Sequence, residues 1–187
     1  MQQEITKALE ILKSGGTILY PTDTIWGIGC DATNEEAVKK IFEIKGRAEI
    51  KSLIILIDNE TKLNRYLKDI PALAYDLIDC SEKPLTIIYS DAKNLANNII
   101  NEDGSIGIRI VKDEFCKKLI EKFGKPIVST SANISGDPTP ECFKEINPII
   151  LSRVDYVVNL RQNETSKNQP SSIIKLGMSG EVKVIRK

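Results

Sequence analysis

Tyr20-Pro21-Thr22-Asp23-Thr24-Ile25-Trp26-Gly27-Ile28-Gly29-Cys30, read with Lys45-Gly46-Arg47 about one helix further on, decides the fold. The apolar run Thr17-Ile18-Leu19-Tyr20 reads as a buried strand, and Pro21 stops it. Polar, hydroxyl-bearing and aromatic residues follow, then two glycines spaced two apart. A strand ending in such a stretch delivers small donors and acceptors to one end of a sheet. The glycines let backbone approach a ligand, or turn sharply where a side chain would clash. Open α/β sheets bind ligands at strand ends, so a cleft is expected there. The plain alternative is a strand, a loop and a second strand joined by ordinary turn residues.

Upstream, Ile5, Ala8, Leu9 and Leu12 fall on one face of a helix over Glu4 to Lys13, which Gly15-Gly16 ends. Downstream, Thr33 with Glu36 reads as a capping box for a helix to about Lys45, with Ala37, Ile41 and Ile44 or Phe42 inward. Leu53-Ile54-Ile55-Leu56-Ile57 is short and continuously apolar, as a strand covered on both faces should be. A helical region from about Thr61 to Ile78 is interrupted near Pro71, and Pro84 introduces a strand over Leu85 to Tyr89. Ser105 to Val111 alternates around Arg109, which places that arginine within a strand. Asp113 caps a helix carrying Phe115, Leu119, Ile120 and Phe123, and Gly124 terminates it. Pro126-Ile127-Val128 runs as a strand into a hydroxyl-rich loop, Ser129 to Ser135. Thr139-Pro140 signals a helix start. Tyr156 to Val158, Ser172 to Leu176 and Val182 to Ile185 read as strands, the last two around a Gly177–Gly180 turn. Alternating strands and helices predict one α/β domain over residues 1–187, with a twisted mixed sheet flanked by helices.

Composition narrows the function. Lys plus Arg and Asp plus Glu are equal at 26 each, which argues against a chain whose main task is coating nucleic acid. Histidine is absent, removing the commonest general base and the commonest metal ligand together. Cys30, Cys80, Cys116 and Cys142 are far apart and form no CxxC pair, so buried thiols in a reducing cytosol are expected. No apolar run approaches about 18 residues, and a soluble, cytoplasmic protein without membrane contact is the expectation.

The chemistry gathers at two strand ends. Lys45 and Arg47 flank Gly46, either as cations at the negative end of a helix dipole or as a phosphate clamp, with Lys51 a third cation nearby. The Ser129–Ser135 stretch either satisfies its own backbone or presents hydroxyls to a ligand. Arg109 either pairs with a neighbouring carboxylate or faces a ligand. There is no GxxxxGK[ST] loop and no GxGxxG after a strand, and without histidine a Ser-His-Asp triad cannot exist. What the cations can do is position and stabilise a phosphoryl centre.

Five segments, taken in order, resemble the YrdC/TsaC family of threonylcarbamoyl-AMP synthases over nearly the full length. They are Gly-Gly-Thr-Ile-Leu-Tyr-Pro-Thr-Asp-Thr-Ile-Trp-Gly-Ile-Gly at 15–29, Ile-Phe-Glu-Ile-Lys-Gly-Arg at 41–47 and Gly-Ile-Arg-Ile at 107–110. Pro-Ile-Val-Ser-Thr-Ser-Ala-Asn-Ile-Ser-Gly at 126–136 and Pro-Ser-Ser-Ile at 170–173 complete the set. The resemblance implies a YrdC-like fold with a concave cleft. It also implies joining of L-threonine, bicarbonate and ATP into threonylcarbamoyl-AMP and pyrophosphate, and transfer to tRNA by a downstream threonylcarbamoyl-transferase complex. It leaves room for a weak tRNA contact.

By the same resemblance, Lys45, Arg47, Ser131 and Asn133 are catalytic. Thr24, Arg109 and Ser171 contact threonine, and Arg47, Lys51, Ser105, Asn133 and Arg186 contact ATP. Magnesium is expected with the triphosphate rather than in a protein cage. Ala48 and Ser52 stand where the family usually has proline, Glu82-Lys83-Pro84 replaces Pro-Gly-Pro, and Trp26 replaces tyrosine or phenylalanine. The chain stops soon after Arg186, as the family's single-domain form does. The competing readings are a catalytically silent paralogue that binds RNA or ribosomes, and a carbamoyl-adenylate domain of hydrogenase maturation.

Overall fold

In a computed structural model of the chain, residues 1–46, 53–165 and 169–187 are described. The stretch around Pro21 folds into two short antiparallel strands, β1 (Ile18–Tyr20) and β2 (Gly27–Gly29), with Thr22 to Trp26 as the turn between them. Helix α1 (Gln2–Lys13) precedes them, burying Ile5, Ala8 and Leu12. Gly29 is required by sterics: a Cβ there would lie 2.5 Å from the Val128 carbonyl and 2.7 Å from the Tyr20 ring.

Helix α2 (Glu35–Lys45) buries Ala37, Ile41 and Ile44 as its period demands. Its cap is not Thr33. Asn34 accepts from the N–H groups of Glu36 and Ala37, while the Thr33 hydroxyl donates to Asp31. Strand β3 (Ile54–Ile57) is followed by two short helices, α3 (Leu63–Tyr66) and α4 (Leu73–Asp79), separated around Pro71. Strands β4 (Leu85–Tyr89) and β5 (Ile106–Ile110) come next. Helix α5 (Glu114–Phe123) is capped by Asp113, which accepts from the Cys116 N–H, and ends at Gly124 in the left-handed region, φ 75°.

Strand β6 (Ile127–Ser131) continues through Ser129 to Ser131, so half of the expected hydroxyl-rich loop is strand. No helix starts at Thr139-Pro140. The working signal is Asn147-Pro148, where the Asn147 side chain accepts from the Ile149 N–H and α6 (Pro148–Arg153) begins. Strands β7 (Tyr156–Val157), β8 (Ser172–Leu176) and β9 (Val182–Arg186) complete the chain.

The strands form one mixed sheet in the order β7-β1-β2-β6-β3-β5-β4-β8-β9. One face carries Ile28, Ile55, Ile87, Ile108 and Val128 in a large core shared with α2. The other carries Ile18, Leu56 and Ile127, packed by α1 and α5 with Phe115 and Leu119. The cleft lies on this second face, where Ile54, Arg109, Ser129 and Ser131 line it. Of the four cysteines, all free, Cys30 and Cys116 are buried as expected, but Cys80 is exposed and Cys142 half-buried.

Candidate active site

Strand register assembles the site. Arg109 in β5 pairs with Thr86 in β4, Thr86 with Ile173 in β8, and Ile173 with Arg186 in β9. Directly paired residues share a sheet face, so the two arginines belong to one row. On the other flank, Gly27 pairs with Ser131, which sets the Thr24-to-Gly27 turn against the end of β6. Between these flanks lies a cleft of about 300 Å³, whose walls include Thr24, Arg109, Ser131, Ser171 and Arg186.

Arg109 is 3% exposed. Its Nη1 donates to the Thr24 hydroxyl at 2.9 Å, and its Nη2 lies 3.4 Å from the Thr22 hydroxyl. Nη2 also lies 3.2 Å from Asp23 Oδ1, an ion pair that lacks hydrogen-bond geometry. Its Nε–H is buried without a partner. Arg109 therefore pairs with a carboxylate and also lines the cleft. The Ser171 hydroxyl shares a 2.8 Å hydrogen bond with the buried Thr86 hydroxyl. Arg186 fixes the same segment by donating from Nε and Nη2 to the Ser171 carbonyl at 3.0 and 2.8 Å. Partial desolvation and the nearby Arg109 charge hold the Arg186 guanidinium below its usual pKa. Two cations so placed favour an anionic ligand.

The β6 end is knitted to α2. Lys45, 1% exposed, donates to the Ser131 carbonyl at 2.6 Å, the Asn133 carbonyl at 2.7 Å and Asn133 Oδ1 at 3.3 Å. The Ser131 hydroxyl donates to the same Asn133 Oδ1 at 2.5 Å, and the Asn133 amide donates to the carbonyls of Ile134 and Asp137. Lys45, Ser131 and Asn133 thus form one hydrogen-bonded group. Trp26 lines the cleft and packs against Phe143, ring centroids 4.8 Å apart. That contact gives the tryptophan an aromatic partner where tyrosine or phenylalanine is usual.

Ser105 is not brought to the cleft wall. It sits at the opposite end of β5, its hydroxyl donating to Asp103 and accepting from Asn101. Arg47 and Lys51 lie outside the described residues. Thr22 and Thr86 are buried and Asp23 is half-buried; they touch Thr24, Arg109 and Ser171 without lining the cleft, and reading residue by residue passed over them. The Thr-Asp-Thr spacing around Thr24 was visible, but nothing local joins it to an arginine some 85 positions later. No described group of three His, Cys, Asp or Glu side chains could hold a metal ion, and no described helix is long and apolar enough to cross a membrane.

Known proteins share this fold. A P. abyssi Sua5 structure complexed with L-threonine superposes with a TM-score of 0.83 at 29% identity, over 94% of this chain. This chain spans about half of that one, 52% of its length. E. coli YciO shares the fold with a TM-score of 0.84 at 23% identity, over 100% of this chain and 90% of its own. A threonylcarbamoyl-AMP synthase of Pseudoalteromonas translucida is 34% identical over 184 residues, 97% of each chain. The Sua5/YciO/YrdC family model, described as "Telomere recombination", matches residues 10–187. With the match running from within α1 to the last residue, the chain belongs to the Sua5/YciO/YrdC family.

Proposed function

We propose that this chain is an L-threonylcarbamoyladenylate synthase, which makes threonylcarbamoyl-AMP and pyrophosphate from L-threonine, bicarbonate and ATP for tRNA modification. The observation that carries the reading is the buried Arg109, held by Thr24 in the wall of a cleft that Ser131 also lines, with Asn133 and Lys45 bonded behind Ser131 and outside the cleft wall. An amino-acid carboxylate suits a desolvated guanidinium, where a charge-assisted hydrogen bond is strong. Arg109, Thr24 and Ser171 would hold the threonine, and Arg186 would add cationic field on the nucleotide side. Lys45, Ser131 and Asn133 would shape the phosphate side, joined on resemblance alone by Arg47 and Lys51, while Ser105, bonded to Asp103 and Asn101 away from the cleft wall, has no contact with it.

In this reading the threonine amine attacks bicarbonate, giving a carbamate and releasing water. A carbamate oxygen then displaces pyrophosphate from the α-phosphorus of ATP. The chain has no histidine to take the amine's proton, so turnover should rise with pH as free amine becomes available. Mg²⁺ would travel with the triphosphate, whose charge it would neutralise. The product would pass to a separate transferase acting on tRNA in the cytoplasm.

The deciding experiment supplies ATP, L-threonine and bicarbonate and measures pyrophosphate together with the adenylate by mass. Pyrophosphate should appear only when threonine and bicarbonate are both present, with no need for tRNA. Release of inorganic phosphate, or of pyrophosphate from ATP alone, would sink the synthase reading. A requirement for tRNA would move the weight to an RNA-binding role.

A further inference from the structure

Asp23 stands between two residues bonded to Arg109, Thr22 and Thr24, and is not among the residues that line the cleft. Its Oδ2 accepts from the Lys112 backbone N–H at 3.2 Å, and its Oδ1 stands 3.2 Å from Arg109 Nη2. The two side chains are 10% and 4% exposed, so the pair is shielded from solvent and little screened. The hydroxyls around them cannot take over its work. Thr22 Oγ1 donates to the Ile25 carbonyl and has only two lone pairs. Three donors compete for these: the Thr24 N–H at 3.0 Å, the Thr24 hydroxyl at 2.9 Å and Arg109 Nη2 at 3.4 Å. The arginine contact is the longest of the three. Hydroxyl bonding therefore fixes Arg109 firmly through Nη1 and only weakly through Nη2, where the Asp23 carboxylate adds an ion-pair attraction without hydrogen-bond geometry.

Charge gives a second reason. Arg109 and Arg186 belong to one row of the sheet, and the Arg109 charge disfavours that of Arg186. Asp23 offsets the charge of Arg109, which eases the standing of two guanidinium groups in one row. Arg109 keeps an unpartnered, buried Nε–H that a ligand oxygen can satisfy.

We propose that Asp23 is a positioning residue: it touches no substrate, but anchors the Nη2 end of Arg109 so that the guanidinium's remaining donors meet the carboxylate of an amino-acid substrate. The assignment rests on the synthase reading above. Its consequence is selective, because orientation of Arg109 matters to the amino acid and not to the nucleotide.

The test is calorimetric binding of L-threonine, of L-threonine amide and of ATP to wild type, Asp23→Asn, Asp23→Glu, Arg109→Lys and the Asp23→Asn/Arg109→Lys double variant, with melting followed in parallel. Asp23→Asn should weaken threonine at least about tenfold, the low end for a disrupted buried charge contact. ATP binding should stay within about twofold, and the preference for threonine over its amide should shrink. Asp23→Glu, which keeps the charge, should recover part of the loss. If Asp23 acts through Arg109, the double variant should bind threonine no worse than Arg109→Lys alone. Additive losses, or equal losses for threonine and ATP, would overturn the assignment. Should Asp23→Asn fail to fold, Asp23→Glu decides in its place: threonine and ATP weakened alike refute the role, threonine weakened alone supports it. If wild type binds no threonine, the synthase reading falls and this role with it; if wild type binds and the variants lose both ligands together, Asp23's role alone is refuted.

Discussion

A lysine in the last turn of a helix ordinarily gains about 0.3–1 kcal/mol from the helix dipole. Lys45 holds that position in α2, but it is 1% exposed and its ammonium is bound by the carbonyls of Ser131 and Asn133. Its larger contribution is therefore to hold the strand end that closes the cleft. In Lys45→Met the stem still packs, while two part-buried carbonyls lose their donor, at about 1 kcal/mol each, the low end for a group left unsatisfied. The variant should lose at least about 2 kcal/mol, which for a chain of this size lowers Tm by roughly 4–8 °C. Calorimetric melting checks this, and a drop under about 2 °C would return Lys45 to a dipole role. The sequence showed a lysine at a helix end beside a glycine, and Gly46 does adopt the left-handed C-cap at φ 64°. It could not show the acceptors, which arrive from more than 80 positions away.

Helix and strand limits were legible wherever one local signal stood alone. Pro84 before an apolar run marked β4, and Asp113 and Gly124 bracketed α5. Reading failed where two signals lay close together. Thr33 and Asn34 are both good caps, and the choice was settled by Asp31, which engages the Thr33 hydroxyl and leaves Asn34 to the helix. Thr139-Pro140 and Asn147-Pro148 offered two helix starts, and α6 used the second. The first remains at the cleft, where Thr139 is a wall residue. The α2 start supplies a direct comparison. Asn34→Ala removes the acceptor for two backbone N–H groups and should cost about 1 kcal/mol. Thr33→Ala should cost less, since Asp31 keeps the Thr33 N–H and the Lys125 ion pair. Urea midpoints measured side by side check the order, and a larger loss from Thr33→Ala would restore the capping box.

At the scale of the molecule, the strand order in the sheet lay beyond sequence reading, because β7 joins beside β1 and β6 separates β2 from β3 through contacts that have no local sign. Yet that order sets the pH behaviour by deciding which ionisable groups are buried. Burial raises the Glu4 pKa, but bonds from the Tyr156 hydroxyl and the Asn159 N–H outweigh it and leave the group below its ordinary 4.5. Asp103, bonded by Lys175 and Ser105, falls to about 2. A depressed carboxylate stabilises the fold above its unfolded pKa and loses that contribution as pH falls through the folded value. The acid loss should therefore begin below about pH 4.5 and continue towards pH 2. At the other limit, burial pushes the Cys30 and Cys116 thiols far above their ordinary 9.0. Above that pH the unfolded chain sheds protons that the folded chain keeps, so stability falls as pH rises, by about 1.4 kcal/mol per pH unit for each thiol. With no histidine, the interval from pH 5 to 8 should be nearly flat. Urea unfolding from pH 3 to 10.5 tests the whole curve. Cys30→Ala should flatten the alkaline limb and leave the acid limb unchanged; a sharp stability maximum between pH 6 and 7 would contradict this account.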